Sequence, residues 1–194
     1  MMLVENPQQL LRNLKTLSGP FPSFDINTLP ENPGNLFMQW LSHAIDNEVK
    51  EPHAMTLSTV DADGFPDARV KNPKAALTFY WPTLGRQIRL QGTVRDMGDE
   101  AGAADFRHRS AEARAIALTG NQSRELASEE ELEQSLAEQR ERINRDPDIA
   151  TRNWRLYAMD VKEAEFWQGD PGRKHTWIQY YRSGEQWKNR RLWP

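Results

Sequence analysis

The stretch AMTLSTVDADGFPDARV, residues 54–70, decides the fold class. Met55, Leu57 and Thr59 alternate with Thr56, Ser58 and Val60, the period of two that marks a half-buried strand. The turn Asp61-Ala62-Asp63-Gly64 comes next, with aspartates that can bond their own backbone and a glycine free to take a positive φ. The chain therefore doubles back into a second, antiparallel strand. Further along, AALTFYW (75–81) and RQIRLQGTV (86–94) read as another pair, with Ile88 and Leu90 pointing one way and Gln87, Arg89 and Gln91 the other. A polar strand face can look at solvent or at a ligand, and on the residues alone solvent is the simpler assignment.

Past residue 153 the alternation returns in segments 154–159, 163–167, 175–182 and 186–193, the last two joined by a Ser183-Gly184 turn. Six or seven short antiparallel strands with no βαβ rhythm predict a mainly β, α+β chain: a small antiparallel barrel with helical additions. The additions are legible too. Leu36, Phe37, Trp40, Leu41, Ala44 and Ile45 form a helical stripe, with Asn32 and Pro33 as cap and first-turn residues. Helices are also predicted over 99–108 and 110–118, and from the capping box Ser128-Glu129-Glu130-Glu131 to the stop at Asp146-Pro147, with Leu132, Leu136 and Ile143 on the apolar side. Residues 1–34, punctuated by Pro7, Pro20, Pro22, Pro30 and Pro33, read as an arm, and 35–194 as one domain.

A length of 194 residues allows a real core, and no stretch approaches the roughly 18 consecutive apolar residues of a membrane helix. The N-terminus lacks the order of a signal peptide, and the absence of cysteine excludes disulfides and thiolate metal sites; a soluble, cytoplasmic protein is the expectation. A net charge of -3 gives no general attraction for nucleic acid or anionic lipid, so any anion site must be local. The four histidines, 43, 53, 108 and 175, have no ligand spacing, and no metal is expected. Walker, G-x-G-x-x-G, G-x-S-x-G and H-E-x-x-H signatures are all missing.

One loop stands out chemically. EFWQGDPGRKH, residues 165–175, sets Trp167 beside Arg173, Lys174 and His175: an aromatic platform, two cations and a titratable ring. Gly169 and Gly172 are expected to supply positive φ, and Pro171 a fixed one. Such a loop is equipped to hold a planar anionic ligand.

EPHAMTLSTVDADGFPDARV, WPTLGRQIRLQGTV, GNQS, EFWQGDPGRKH and the ending RLWP, in that order, resemble the pyridoxamine 5'-phosphate oxidases, over about residues 29–194. The resemblance implies an antiparallel split β-barrel, a homodimer with a C-terminal dimerisation region and sites at the interface, FMN as cofactor, and oxidation of pyridoxamine or pyridoxine 5'-phosphate to pyridoxal 5'-phosphate by oxygen. It also implies residue roles. Arg69, Gln87, Gln122, Ser123 and Trp167 would contact FMN; Arg173 and His175 would embrace the substrate and act in catalysis; Arg109 would hold its phosphate.

The chain also departs from the pattern. After Arg69-Val70 it passes to Lys71-Asn72-Pro73, where the family carries a further hairpin and a lysine that grips the FMN phosphate. Either the strands are absent and FMN is held more weakly for want of that lysine, or a segment intervenes between Val70 and Asn72; the second is favoured, because excising central strands would leave unpaired edges. Trp177 stands where the family has an arginine that touches FMN, and Asp105 and Ala113 replace a phosphate-binding tyrosine and serine. Asp105, as an anion, would repel a phosphate. A split-barrel flavoprotein acting on another small substrate, or a non-catalytic binder of flavin or pyridoxal phosphate, is the alternative.

Overall fold

A computed structural model describes residues 17–67 and 73–194. Among these the order is α1 (Pro33–Asp46), β1 (Thr56–Val60), β2 (Pro66–Asp67), β3 (Lys74–Trp81), a 3-10 turn (Pro82–Leu84), β4 (Arg86–Asp96), α2 (Gly98–Arg107), α3 (Ala111–Leu118), α4 (Glu129–Arg145), β5 (Tyr157–Gln168), β6 (Thr176–Ser183) and β7 (Gln186–Leu192). The chain divides into two compact units, one drawn from residues 1–93 and 160–194 and the other comprising 94–159. The Val70–Asn72 junction, and with it Arg69, lies outside the described residues.

The opening hairpin forms as its sequence predicts. Asp61 Oδ1 accepts from the backbone N–H groups of Asp63 (3.0 Å) and Phe65 (2.8 Å), and Gly64 takes φ 90°. That turn sets Thr59 opposite Asp67 and Val60 opposite Pro66. β3 and β4 then pair from Lys74 with Thr93 to Trp81 with Arg86. The sheet runs β2-β1-β3-β4-β5-β6-β7.

This mixed α and β architecture with an antiparallel sheet corrects the expected split β-barrel. β2 and β7 stand at opposite ends of the strand order, so the sheet is open. A barrel needs its first and last strands to pair. Among the described residues neither edge strand meets the other: β2 pairs with β1 and β7 pairs with β6. A second difference concerns segments 154–159 and 163–167: from Tyr157 to Gln168 the chain is one twelve-residue strand. Between the two expected segments, Lys162 donates to the Asp160 carboxylate at the surface of an uninterrupted strand. Gly92 permits this, because a Cβ there would lie 2.2 Å from the Asp160 carbonyl oxygen.

One sheet face carries the core of the first unit. Asn32 Oδ1 accepts from Gly34 N at 2.8 Å and starts α1, whose Leu36, Trp40 and Ala44 are buried. Trp40 meets Phe24 and Phe166 edge-on at 5.0 and 5.4 Å, and Phe166 meets Tyr180 at 5.8 Å. Each such side chain removed from water contributes about 1.5–3 kcal/mol. Ile88, Ala164 and Ile178 complete the layer, and Phe24, Ile26 and Leu29 from the N-terminal stretch pack against it. The Tyr180 hydroxyl donates to the Pro30 carbonyl at 2.9 Å. Strand alternation turns Gln87, Arg89, Glu165, Trp167, Trp177 and Gln179 to the other face.

In the second unit, Ser110 and Ser128 cap α3 and α4, and the Glu131 carboxylate reaches back to Ala127 N at 3.2 Å. Ala115, Leu136 and Ile143 form a small core, with Leu118, Leu132 and Ile149 against it. No helix among the described residues is long and apolar enough to cross a membrane.

Candidate functional site

Arg86 starts β4 on the core-facing parity of Ile88, so its guanidinium is buried rather than exposed. It lies 4.3 Å over the Trp40 ring, and Nε donates to Gln168 Oε1 at 2.9 Å. Burial pushes the guanidinium pKa down to about 10. The Gln168 amide nitrogen donates in turn to the carbonyls of Leu84 (3.0 Å) and Gly85 (3.2 Å), and Gly169 N donates to Gly85 O at 2.6 Å. The end of β5 is thereby fastened to the start of β4, and from this anchor the 169–175 loop projects.

Asp170 organises that loop. Its carbonyl accepts from Arg173 N (3.0 Å), its Oδ1 accepts from Lys174 N (3.1 Å), and its own N–H donates to His175 Nδ1 (3.0 Å). With Nδ1 engaged as acceptor, the proton of the neutral ring sits on Nε2, which is left as the donor. The positive φ expected of Gly169 and Gly172 falls instead on Arg173, at 61°. Gly169 is required for space: a Cβ would come 3.1 Å from Leu17 and 3.2 Å from both the Gly85 carbonyl and the Trp167 ring. A non-glycine residue at this φ is strained, and the three Asp170 bonds hold it there.

The loop borders a cleft of about 470 Å³ lined by Arg173, Lys174, His175, Arg191, Leu192, Trp193 and Pro194. Three of these seven side chains are cationic and none is acidic, which makes the cleft receptive to an anion. The Trp167 ring lies 5.0 Å from that of His175, so two of the expected residues are in contact.

The polar sheet face holds a chain of bonds. Arg89 pairs with Glu165 at 2.9 Å, Gln179 donates to Glu165 at 3.2 Å, and Arg190 donates to Gln179 at 2.7 Å. Trp167 is opposite Trp177, and Trp177 opposite Leu192. Gln87 is opposite Tyr80. Two buried donors on this face, Arg89 Nε and Trp177 Nε1, have no acceptor among the described residues. Such groups cost free energy unless an acceptor arrives.

The other expected residues belong to the second unit. Arg109 lies with its guanidinium 4.3 Å over the Trp154 ring, and Trp154 Nε1 donates to Asp105 Oδ2 at 2.8 Å. The Asp105 carboxylate thus has a partner that the sequence reading missed. Gln122 lines a cleft of about 320 Å³ with Ile116, Thr119, Asn121 and Arg124, and Ser123 takes φ 64°. No group of three or more metal-ligating side chains occurs among the described residues.

Residues 154–194 match the family model described as the pyridoxine 5'-phosphate oxidase C-terminal dimerisation region. The chain is 35% identical over 189 residues to the pyridoxine/pyridoxamine 5'-phosphate oxidase of Legionella pneumophila (strain Lens), covering 84% of this chain and 88% of that one. The chain belongs to the pyridoxine/pyridoxamine 5'-phosphate oxidase family. The family's oxidase from Pseudomonas paraeruginosa (strain DSM 24068 / PA7) is 34% identical over 193 residues, covering 85% and 90%. Among solved structures, PhzG from Burkholderia lata 383, in complex with tetrahydrophenazine-1-carboxylic acid, superposes with a TM-score of 0.80 at 24% identity, covering 91% of this chain and all of that one. An FMN-binding protein related to the oxidase family, from Nostoc punctiforme PCC 73102, superposes with a TM-score of 0.65 at 17% identity, covering 86% and 100%. The family resemblance read in the sequence therefore holds, and it spans most of the chain.

Proposed function

We propose that the protein is an FMN-dependent oxidase that converts pyridoxamine or pyridoxine 5'-phosphate to pyridoxal 5'-phosphate, with oxygen as acceptor, and that it works as a homodimer. Family membership and the match to the dimerisation region support this reading. The observation that carries it is the pair of unsatisfied buried donors, Arg89 Nε and Trp177 Nε1, on the sheet face that also presents Gln87 and Trp167. A flavin ring system bears carbonyl oxygens and ring nitrogens that accept hydrogen bonds and would satisfy such donors, so the residues present fit the group. Gln87 and Trp167 would hold it with them, and Arg69, Gln122 and Ser123 would be further FMN contacts. When bound, FMN supplies the two-electron acceptor that oxidation at the amine- or alcohol-bearing carbon needs.

The chain's own residues bind and orient. Arg173 and Lys174 draw a phosphorylated substrate to the cleft, and Arg109 neutralises its phosphate. His175 presents Nε2–H as a donor to the reacting substituent, its ring fixed by Asp170 N and packed against Trp167. A second reading, oxidation of another small anion, is favoured by one observation: Arg109 lies beside a carboxylate, Asp105, on the same indole.

The test is the visible absorption spectrum of the purified protein with and without added FMN, followed by anaerobic addition of pyridoxine 5'-phosphate. A flavin band that bleaches on addition supports the proposal. A band that persists with this substrate but bleaches with another moves the assignment to the second reading, and failure to take up flavin overturns both.

A further inference from the structure

We propose that Trp154 is a positioning residue that holds the Arg109 guanidinium ready for the phosphate of the substrate, with Asp105 as the tether that keeps the indole in place; this rests on the reading of Arg109 as the phosphate-binding residue. The indole is restrained at three separate points. Its Nε1–H donates to Asp105 Oδ2 at 2.8 Å. Its ring packs against the buried Phe106 ring, centroids 5.9 Å apart. Its backbone lies so close to α2 that a Cβ on Gly102 would come 2.9 Å from the Trp154 carbonyl oxygen. The ring cannot readily follow a moving partner.

Arg109 is restrained by little else. It is exposed, and its guanidinium has no hydrogen bond or carboxylate partner among the described residues, so the stack at 4.3 Å is what orders it. A guanidinium lying over an aromatic face uses its plane for the contact and leaves its N–H groups, which point outward along that plane, free for two oxygens of an anion. An ion pair would order Arg109 too, but it would consume those donors. The Asp105 carboxylate, engaged with the indole N–H, acts on Arg109 through the ring it holds. Of the two positions that depart from the family's phosphate pattern, Asp105 is accounted for by its bond to Trp154, and nothing in the structure explains alanine at 113.

The experiment measures the affinity of the full-length protein for pyridoxal 5'-phosphate and for unphosphorylated pyridoxal, by spectroscopic titration, in wild type and in R109A, W154L, W154F and the double variant W154F/R109A. A stacked cation at an exposed site contributes enough that W154L should weaken pyridoxal 5'-phosphate by about two- to five-fold and W154F by less than about two-fold. Pyridoxal affinity should not change in either. If R109A binds pyridoxal 5'-phosphate like wild type, the phosphate reading of Arg109 fails and the proposal falls with it. If R109A weakens it and W154L does not, only the positioning role is overturned. Equal losses for pyridoxal and its phosphate in W154L would mean a merely structural effect and also overturn it. Should W154L fail to fold, the double variant decides: W154F must become silent once Arg109 is absent, and an undiminished effect overturns the proposal.

Discussion

Replacing Gln168 by alanine removes the group on which the site loop hangs. Gln168 is 5% exposed; its Oε1 accepts from Arg86 Nε, and its amide nitrogen donates to the Leu84 and Gly85 carbonyls. A hydrogen bond from a charged donor contributes about 1.5–3 kcal/mol and each neutral one about 0.5–1.5, so the alanine variant should lose about 3–4 kcal/mol, most of it from stranding a buried guanidinium N–H. Urea denaturation read by tryptophan fluorescence measures the loss directly, as a lower midpoint at unchanged slope. The decisive comparison is a double-mutant cycle with Arg86→Met. Arg86→Met alone leaves Gln168 Oε1 without its donor, and Gln168→Leu alone strands the cation. The two together exchange a buried polar pair for an apolar one, so the double variant should be well above the sum of the singles, with a coupling of at least about 1.5 kcal/mol. Additive losses would refute the argument that Gln168 acts through Arg86, and a loss below about 1 kcal/mol for Gln168→Ala would refute the accounting itself.

Three further outcomes follow from other parts of the structure. Arg173→Ala should reduce turnover about a hundred-fold while leaving the FMN dissociation constant unchanged, and equal losses in steady-state kinetics and flavin titration would remove Arg173 from the substrate role. Gly92→Ala would place a methyl 2.2 Å from the Asp160 carbonyl oxygen, a backbone contact that cannot rotate away, and should cost about 1–3 kcal/mol or more in a urea titration. Burial pushes the Tyr180 hydroxyl up to about 12 from its ordinary value of 10. The folded state therefore keeps a proton that the unfolded chain has lost between those values, and the contribution of Tyr180, intact below pH 10, is lost as pH rises towards 12. In denaturation midpoints measured over that range, wild type should lose stability relative to Tyr180→Phe, and parallel curves would contradict the argument.

What could be read from the sequence was local. Asn32 and Ser128 announce the helices they cap, and Asp61 to Gly64 announces a turn, because each bond involved spans only a few residues. The openness of the sheet is a property of its two most distant strands, and alternation within any one strand is silent about it. In the site, the loop and its cations were legible from residue type, but the backbone conformation was not: bonds to Asp170, rather than a glycine, hold the positive φ on Arg173. Asp105 looked like a bare anion because its partner, Trp154, stands 49 residues away. Arg86 did leave a signal. It is a charged residue on the parity of Ile88, and only a buried acceptor such as Gln168 makes that tolerable.

The open sheet has a consequence for how copies of the chain can meet. β7 is a terminal strand, and its free side would be a template for the same strand of another molecule. Lys188, Arg190 and Arg191 all lie on it, on both faces of the sheet. Edge-to-edge docking of two antiparallel copies centred near Asn189 would set Lys188 of one against Arg190 of the other, an electrostatic fence that discourages runaway sheet extension.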